Sequence, residues 1–216
     1  MTGMASFPSP LDPWVKRTAA VLLTDLYELT MLAGYHAHGM SDTPASFEYF
    51  FRNFPRDTGF AVFAGLDQLL DYFDNLRFET SDIRYLEHLN LFSAPFLEWL
   101  KEWRCTCDVW AAPEGTLVFP NEPILRVEGP LGEAQLLETF ILNALNYPTL
   151  IATKAARVCI AAEGDPVMEF GLRRAQGPDG GLIGSRAAFI GGCAGTSNCM
   201  AGKMFGIPVM GTHAHS

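Results

Sequence analysis

Two short apolar segments in the last third of the chain have the composition of strands that are buried on both faces. They cover residues 167–170 and 207–210, and a glycine-rich loop and one or two predicted helices lie between them. Strand, helix and strand in this order are typical of a parallel sheet with right-handed crossovers. The last third of the chain therefore indicates an α/β fold.

The first two-thirds of the chain predicts mixed helices and strands with much antiparallel character. Alternating aromatic residues predict one strand, and turn residues bound three more. These predicted strands cover residues 45–51, 107–111, 116–119 and 124–128. Apolar residues at helical spacing predict helices that begin after Thr24, after Ser93, at Leu131 and after Pro148. Thr24 and Ser93 are the predicted N-caps of the first two helices.

Composition narrows the classes of partner and the cellular compartment. The net charge of −9 disfavours nucleic acid and anionic membrane surfaces, because both attract basic protein faces. No apolar stretch approaches the length needed to cross a bilayer, and residues 1–13 lack the pattern of a signal peptide. The five scattered cysteines are typical of reduced thiols, so we expect a cytoplasmic protein.

Cys105 and Cys107 form one close pair of thiols in the sequence. No second pair follows at the spacing that would complete a zinc site. We therefore favour packing within a strand over metal binding for these two residues.

Polar residues concentrate directly after the two predicted strands of the last third. Because ligands bind at the carboxyl ends of parallel strands, these residues are candidates for a site. Arg173 and Arg174 follow the first strand, and Thr212, His213 and His215 follow the second. Consecutive strands usually lie close together, so we expect two guanidinium groups and two imidazoles over one pocket.

Paired arginines in an acidic protein suggest an anionic small molecule. A guanidinium group matches the geometry of a carboxylate or phosphate, and glycine allows backbone N–H groups to approach the same anion. The alternative is that Arg173 and Arg174 are solvated in a loop or pair with Asp179.

His213 and His215 allow three interpretations. Alternate residues of a strand point the same way, so the pair could bind a metal, as in barrel hydrolases with a His-x-His motif. One imidazole could instead act as a general base or as a nucleophile toward phosphorus. Both could also be histidines that are hydrogen-bonded at a strand end. Metal hydrolases usually carry the motif on their first barrel strand, and its position here after two hundred residues disfavours metal binding.

Four segments, in this order along the chain, resemble signature segments of nicotinate phosphoribosyltransferases. They are LTDLYE at 23–28, EFGLRRAQGPDGG at 169–181, GTSN at 195–198 and GTHAHS at 211–216. The resemblance extends from about Leu22 to the last residue, and the run from 169 to 181 is its most specific part.

The resemblance implies a type II phosphoribosyltransferase that forms a homodimer with shared active sites. Residues 15–147 would form an N-terminal α/β domain, residues 148–216 would be the first, incomplete part of an irregular α/β barrel, and residues 1–14 would be a flexible N-terminus. Members of this family continue well past residue 216, so we expect the chain to be an N-terminal portion that lacks the C-terminal part.

The resemblance also implies roles for individual residues. Tyr27 would reach from the partner subunit and stack on the pyridine ring. Without the resemblance, its position on a predicted helix favours packing in the core. Arg173 and Arg174 would hold the nicotinate carboxylate or the pyrophosphate-bearing sugar. Thr212 would contact nicotinate, and His215 would be phosphorylated by ATP. His213 matches no function of the family.

The implied reaction transfers phosphoribosyl from phosphoribosyl pyrophosphate, with Mg²⁺, to nicotinate and hydrolyses ATP. Its product is nicotinate mononucleotide for NAD biosynthesis. The alternatives are a related enzyme that uses nicotinamide or quinolinate, a His-x-His metal-dependent barrel hydrolase, and a non-catalytic dimerisation or regulatory module.

Overall fold

The computed structural model of the chain describes residues 21–53, 59–211 and 213. The predicted flexible segment 1–14 and the predicted site residues Thr212 and His215 lie outside this range. The helices of the described residues are α1 (Leu26–Ala37), α2 (Leu66–Asn75), α3 (Thr80–His88), α4 (Ala94–Glu102), α5 (Leu131–Leu136), α6 (Glu138–Ala161), a 3-10 helix (Leu172–Arg174), α7 (Gly177–Ile190) and α8 (Cys199–Phe205). Their strands are β1 (Pro44–Tyr49), β2 (Ala61–Val62), β3 (Asp108–Ala111), β4 (Leu117–Val118), β5 (Leu125–Pro130), β6 (Met168–Glu169) and β7 (Gly195–Thr196).

The strands of the first two-thirds of the chain pair in antiparallel fashion, as the sequence predicts. Strand β5 lies between β1 and β3, and the register pairs Phe47 with Val127 and Val109 with the same residue from the other side. A second, two-stranded sheet joins β2 to β4. The predicted antiparallel character of this region is confirmed.

The main hydrophobic core lies between the antiparallel sheet and helices α1 to α6. Helix α4 shows how the sequence builds it: Ser93 is the N-cap residue, and Phe96 and Leu100 are buried on one face of the helix. Trp103, one further turn along, is also buried. The predicted apolar face of this helix is confirmed.

The first helix begins one residue later than predicted. Asp25, rather than Thr24, is the N-cap residue, and its side chain does not cap the helix. The Asp25 backbone N–H instead donates a hydrogen bond to the Thr139 hydroxyl oxygen at 3.3 Å. A tertiary contact with α6 therefore replaces the local cap.

The prediction of a new helix after Pro148 is wrong, because α6 runs through this residue. Proline has no N–H group and would normally end a helix. Two threonine hydroxyls of the following turns bind the backbone of the segment 62–64: Val62 N–H donates to Thr153 at 2.9 Å, and Ala64 N–H donates to Thr149 at 3.2 Å. These tertiary hydrogen bonds hold the helix past the proline. The predicted division into two domains falls within α6 and stays a prediction.

The last third of the described chain contains the predicted parallel arrangement with an additional strand. Strand β6 pairs in parallel with β7, and Thr196 of β7 forms a parallel bridge with Val209. The predicted segments 167–170 and 207–210 are therefore separated by β7 rather than adjacent. Sequence reasoning missed β7 because it is two residues long and contains no apolar run.

The predicted glycine-rich loop is shorter than expected, because α7 begins at Gly177. Gly180 and Gly181 therefore lie in the first turns of a helix. A Cβ atom at residue 181 would lie 2.6 Å from Leu172 Cδ1, so the absence of a side chain allows the 3-10 helix to pack against α7. Within the described part of the chain, no helix combines the length and the apolar composition that a membrane span requires.

Candidate functional site

Arg173 and Arg174 lie in the 3-10 helix that directly follows β6. Both side chains are exposed, and no ion pair of the described residues includes either of them. This exposure fits both the predicted anion site and the alternative that the two arginines are solvated, whereas a pair with Asp179 is not formed among the described ion pairs. Two guanidinium groups at the carboxyl end of a parallel strand are free to bind an anion from solution.

Glu169, the last residue of β6, holds the turn that leads to the two arginines. One carboxylate oxygen accepts a hydrogen bond from the Gly171 backbone N–H. The other oxygen accepts from the Ser185 hydroxyl at 2.9 Å and from the Thr196 hydroxyl at 2.6 Å. Three elements, β6, β7 and α7, are thus tied together through a single side chain.

Asn198 extends this polar network to α8. Its side-chain oxygen caps α8 by accepting from the Met200 and Ala201 N–H groups at 3.1 and 3.3 Å. Its Nδ2 donates to the Ser185 hydroxyl at 3.2 Å. Because Ser185 and Asn198 are buried and hydrogen-bonded, they hold in place the residues that support the turn with Arg173 and Arg174, hereafter the arginine turn. Sequence reasoning assigned no role to Glu169 or Ser185, since the residues that meet here are up to 27 positions apart.

Tyr27 lies in the first turn of α1 with 45% of its surface exposed. The alternative that Tyr27 packs in the core is therefore wrong. Partial desolvation and the neighbouring carboxylates of Glu28 and Glu138 raise the pKa of Tyr27 to about 12. The phenol is consequently neutral at physiological pH and presents an accessible aromatic ring.

Glu28 anchors the helix that carries Tyr27. It is fully buried, and its Oε1 accepts from the Thr139 backbone N–H at 3.1 Å and from the Thr139 hydroxyl at 2.7 Å. Burial raises the pKa of Glu28, although these hydrogen bonds oppose the shift. The start of α1 is thereby fixed to the start of α6.

The structure does not bring Tyr27 together with the two arginines. Helix α1 packs on α5 and α4, whereas the 3-10 helix packs on α7. Among the described residues, no hydrogen bond, ion pair or ring contact joins Tyr27 to Arg173 or Arg174. His213 is exposed, and with His215 outside the described residues the predicted meeting of guanidinium and imidazole groups stays a prediction.

A cleft of about 240 Å³ connects the segment before α1 with the segment after the arginines. Leu23 lines it on one side and Gln176 and Gly180 on the other. Tyr147 of α6 also lines the cleft, and its hydroxyl donates to the Gly180 carbonyl at 2.9 Å. Gln68 also lines the cleft, and its Oε1 is buried without a hydrogen-bond partner among the described residues.

The sequence model of the nicotinate phosphoribosyltransferase N-terminal domain matches residues 22–146, which is more than half of the chain. The chain belongs to the nicotinate phosphoribosyltransferase family. The family match includes Tyr27 and the buried anchor Glu28, both of which lie in LTDLYE, the first of the four signature segments.

Several known nicotinate phosphoribosyltransferases are similar to the chain. Nicotinate phosphoribosyltransferase pncB2 of Mycobacterium tuberculosis is 48% identical over 202 residues, which are 94% of this chain and 43% of the relative. The Bacillus subtilis nicotinate phosphoribosyltransferase is 49% identical over 206 residues, 95% of this chain and 42% of the relative. The chain thus spans less than half the length of these relatives.

The crystal structure of human nicotinic acid phosphoribosyltransferase is similar to the chain in fold. The TM-score is 0.83 at 42% identity, and the match covers 89% of this chain and 39% of the human one. The predicted α/β fold class is confirmed by this likeness to a family member and by the mixed helices and strands described above.

Arg186 of α7 forms a largely buried ion pair that the sequence analysis did not predict. Its guanidinium forms two hydrogen bonds with the Glu114 carboxylate, at 2.9 and 2.7 Å, and lies 3.3 Å from Asp67. Burial alone would raise the pKa of Glu114, but Arg186 and two backbone N–H groups, those of Gly65 and Leu66, lower it. This pair joins the helix behind the arginine turn to the N-terminal part of the chain, across 72 residues of sequence.

Proposed function

We propose that the chain is part of an enzyme that transfers phosphoribosyl from phosphoribosyl pyrophosphate, as its magnesium complex, to nicotinate. The products are nicotinate mononucleotide and pyrophosphate, and ATP hydrolysis accompanies the reaction. The observation that carries the proposal is the exposed, unpaired arginine pair at the carboxyl end of β6, within the segment 169–181 that resembles the family signature. The names of the relatives support nicotinate as the pyridine substrate.

Arg173 and Arg174 bind the anionic groups of the two substrates. Each guanidinium offers a planar set of N–H donors that matches a carboxylate or phosphate, and both are exposed and unpaired in the described structure. Glu169 is the nearest carboxylate in sequence, and its oxygens already accept three hydrogen bonds. Glu169 therefore positions the turn.

Tyr27 stacks on the pyridine ring and belongs to the partner subunit of a homodimer. Its exposed ring and its separation from the arginines of the same chain are consistent with this arrangement. Thr212 contacts nicotinate in the same proposal, and the imidazole of His215 accepts a phosphoryl group from ATP. Hydrolysis of that phosphohistidine drives a synthesis that is otherwise poorly favourable.

The chemistry that this site must supply is mainly positioning and charge stabilisation. As pyrophosphate leaves, positive charge develops on the sugar, and the ring nitrogen of nicotinate forms the new bond to it. A rigid anion-binding turn keeps the two reacting atoms in line and lowers the entropic cost of their meeting. The buried polar side chains of Glu169, Ser185 and Asn198 supply that rigidity.

The positive charge of the two arginines favours nicotinate over nicotinamide and quinolinate as the substrate. Nicotinamide is neutral and gains little from a guanidinium, whereas quinolinate carries two carboxylates and would need more positive charge. The metal-hydrolase alternative gains no support from the relatives, which are named nicotinate phosphoribosyltransferases. The cytoplasmic location stays a prediction.

Equilibrium binding tests the role of the arginine pair. We expect Arg173→Gln and Arg174→Gln each to weaken binding of nicotinate or of magnesium phosphoribosyl pyrophosphate by about 1.5–3 kcal/mol, the usual contribution of a hydrogen bond to a charged group. Calorimetric titration with each substrate separately shows which anion each arginine holds. Arg157 is an exposed arginine on α6, and Arg157→Gln is therefore the matched control. Unchanged affinity for both substrates in both variants would refute the proposed anion site.

A further inference from the structure

Three potential metal ligands meet where β3 approaches α5, in a part of the molecule that the proposed reaction does not use. The Sγ atoms of Cys105 and Cys107 and a carboxylate oxygen of Glu133 lie within 4.8 Å of one another. All three side chains are half-buried. Glu133 is 26 residues from Cys107, so a search for paired cysteine motifs in the sequence does not find this third ligand.

The geometry points to a site, formed by Cys105, Cys107 and Glu133, that binds one zinc-like divalent cation. Zinc accepts thiolate sulfur at about 2.3 Å and carboxylate oxygen at about 2.0–2.2 Å, which places tetrahedral ligands roughly 3.6–3.8 Å apart. The distance between Cys107 Sγ and Glu133 Oε2 is 3.9 Å, so a shift of a few tenths of an ångström completes this part of the geometry. Cys105, Cys107 and Glu133 supply three of the four ligands of a tetrahedral site, and water would supply the fourth.

The ligands are held in place by contacts that do not involve the metal. The Thr106 backbone N–H and hydroxyl both donate to Glu133 Oε2, the hydroxyl at 3.0 Å, and so fix the carboxylate beside the two thiols. On the opposite strand, a Cβ atom at residue 129 would lie 2.6 Å from Cys107 Sγ, so only glycine leaves room for the thiol. The site is therefore largely formed before a cation arrives.

The charges of the site favour a cation. Among the described residues, no lysine or arginine forms an ion pair with Glu133. The Glu133 carboxylate thus lies beside two thiols without a basic partner, and a divalent cation would supply the missing positive charge.

Thiolate ligands select the kind of cation. Zinc and cadmium bind thiolate strongly, whereas Mg²⁺ and Ca²⁺ prefer oxygen ligands in larger number. On binding, the two thiols release their protons to solvent and both sulfurs coordinate the ion, so affinity falls as the pH is lowered. The bound ion would connect the start of β3 to α5 and stabilise the folded chain.

Zinc binding to the reduced 216-residue chain tests the site without any measurement of enzyme activity. In competition with a chromophoric chelator, we expect one tightly bound equivalent of Zn²⁺, and with Cd²⁺ we expect the ultraviolet charge-transfer band of a cadmium thiolate. Cys105→Ser and Cys107→Ser should each abolish the tight site. Glu133→Gln should weaken it at least about tenfold, because even loss of a residue behind a metal ligand costs 10–100-fold.

Two comparisons keep the test decisive. Cys199→Ser removes an exposed thiol outside the cluster and should leave zinc affinity unchanged. Glu133→Gln retains an oxygen that can accept from Thr106, so its fold should persist, and circular dichroism checks this directly. The inference is overturned if the reduced chain binds no tight zinc, or if zinc affinity is the same in Cys107→Ser as in the unsubstituted chain.

Discussion

Replacement of Arg186 by methionine should strongly destabilise the chain. Methionine retains most of the aliphatic part of the side chain but removes the guanidinium that forms two hydrogen bonds with Glu114. Both side chains of this pair are only 17% exposed. The remaining Glu114 carboxylate would stay largely buried, with the backbone N–H groups of Gly65 and Leu66 as its partners.

The magnitude follows from burial. Removal of one partner of a fully buried ion pair costs about 3–5 kcal/mol, because an uncompensated charge stays in the interior. The partial exposure of the pair and the two retained N–H donors reduce this cost, so we expect about 2–3 kcal/mol for Arg186→Met. The double variant Glu114→Gln with Arg186→Met should recover part of the loss, because the buried charge is then gone.

Urea denaturation followed by circular dichroism measures this free energy of unfolding. Arg77→Met is the matched control, because Arg77 pairs with Glu79 at 3.1 Å but their side chains are 42% and 45% exposed. Exposed pairs of this kind contribute about 0.2–1 kcal/mol. If Arg186→Met costs no more than Arg77→Met, the inference that the Arg186 pair joins the two parts of the chain is refuted.

The same pair should give a characteristic pH dependence. Because Arg186 lowers the pKa of Glu114 below its ordinary value of 4.5, the pair stabilises the chain above pH 4.5, and this contribution is lost as the pH falls through the lowered value. The difference in unfolding free energy between the unsubstituted chain and Arg186→Met should therefore be largest near neutral pH and shrink in acid. A difference that stays constant with pH would contradict this assignment.

Three further predictions concern the proposed active site. Gly181→Ala should weaken binding of magnesium phosphoribosyl pyrophosphate in a calorimetric titration, because its Cβ would lie 2.6 Å from Cδ1 of Leu172, next to the two arginines. Gly180→Ala is the control and should not weaken binding, because the nearest neighbour of its Cβ would be 3.6 Å away. Equal effects of the two variants would contradict the packing explanation. Tyr27→Ala should weaken nicotinate binding by the ~1–3 kcal/mol typical of aromatic stacking on a base, and Tyr27→Phe should not; unchanged affinity in the alanine variant would remove Tyr27 from the site. In a version of the protein that has the full length of its relatives, His215→Ala should abolish stimulation by ATP in a nucleotide-formation assay but leave slow phosphoribosyl transfer. Full ATP stimulation would exclude the phosphohistidine.

Local sequence patterns predicted the elements whose structure depends on local chemistry. The buried face of α4 follows from helical spacing after Ser93, and β1 follows from alternating aromatic residues. In each of these cases the signal lies within a few residues of the element itself.

Elements that depend on distant contacts were not predictable in the same way. Helix α6 continues past Pro148 because Thr149 and Thr153 bind the backbone of a segment 85 to 91 residues earlier. Strand β7 is defined by its neighbours on both sides rather than by an apolar run. Tertiary hydrogen bonds therefore overrode the local preferences that the sequence expressed.

The candidate site likewise contains residues that the sequence predicts and residues that only the fold identifies. The exposed positions of Tyr27, Arg173 and Arg174 agree with the roles suggested by the family resemblance, but those roles stay proposals. The supporting side chains of Glu169 and Arg186 carry no local signal, because each acts through partners that are distant in sequence. Only the three-dimensional arrangement reveals which polar side chains fix the arginine turn.

The preference for nicotinate can be measured directly by competition among pyridines. A version of the protein that has the full length of its relatives would be incubated with magnesium phosphoribosyl pyrophosphate, ATP and equal concentrations of nicotinate, nicotinamide and quinolinate. The nucleotides that form would be identified by mass spectrometry. We predict that nicotinate mononucleotide forms and that its formation is lost when Arg173 and Arg174 are both replaced by glutamine. Formation of nicotinamide mononucleotide in its place, or conversion of quinolinate in preference to nicotinate, would contradict the proposed function.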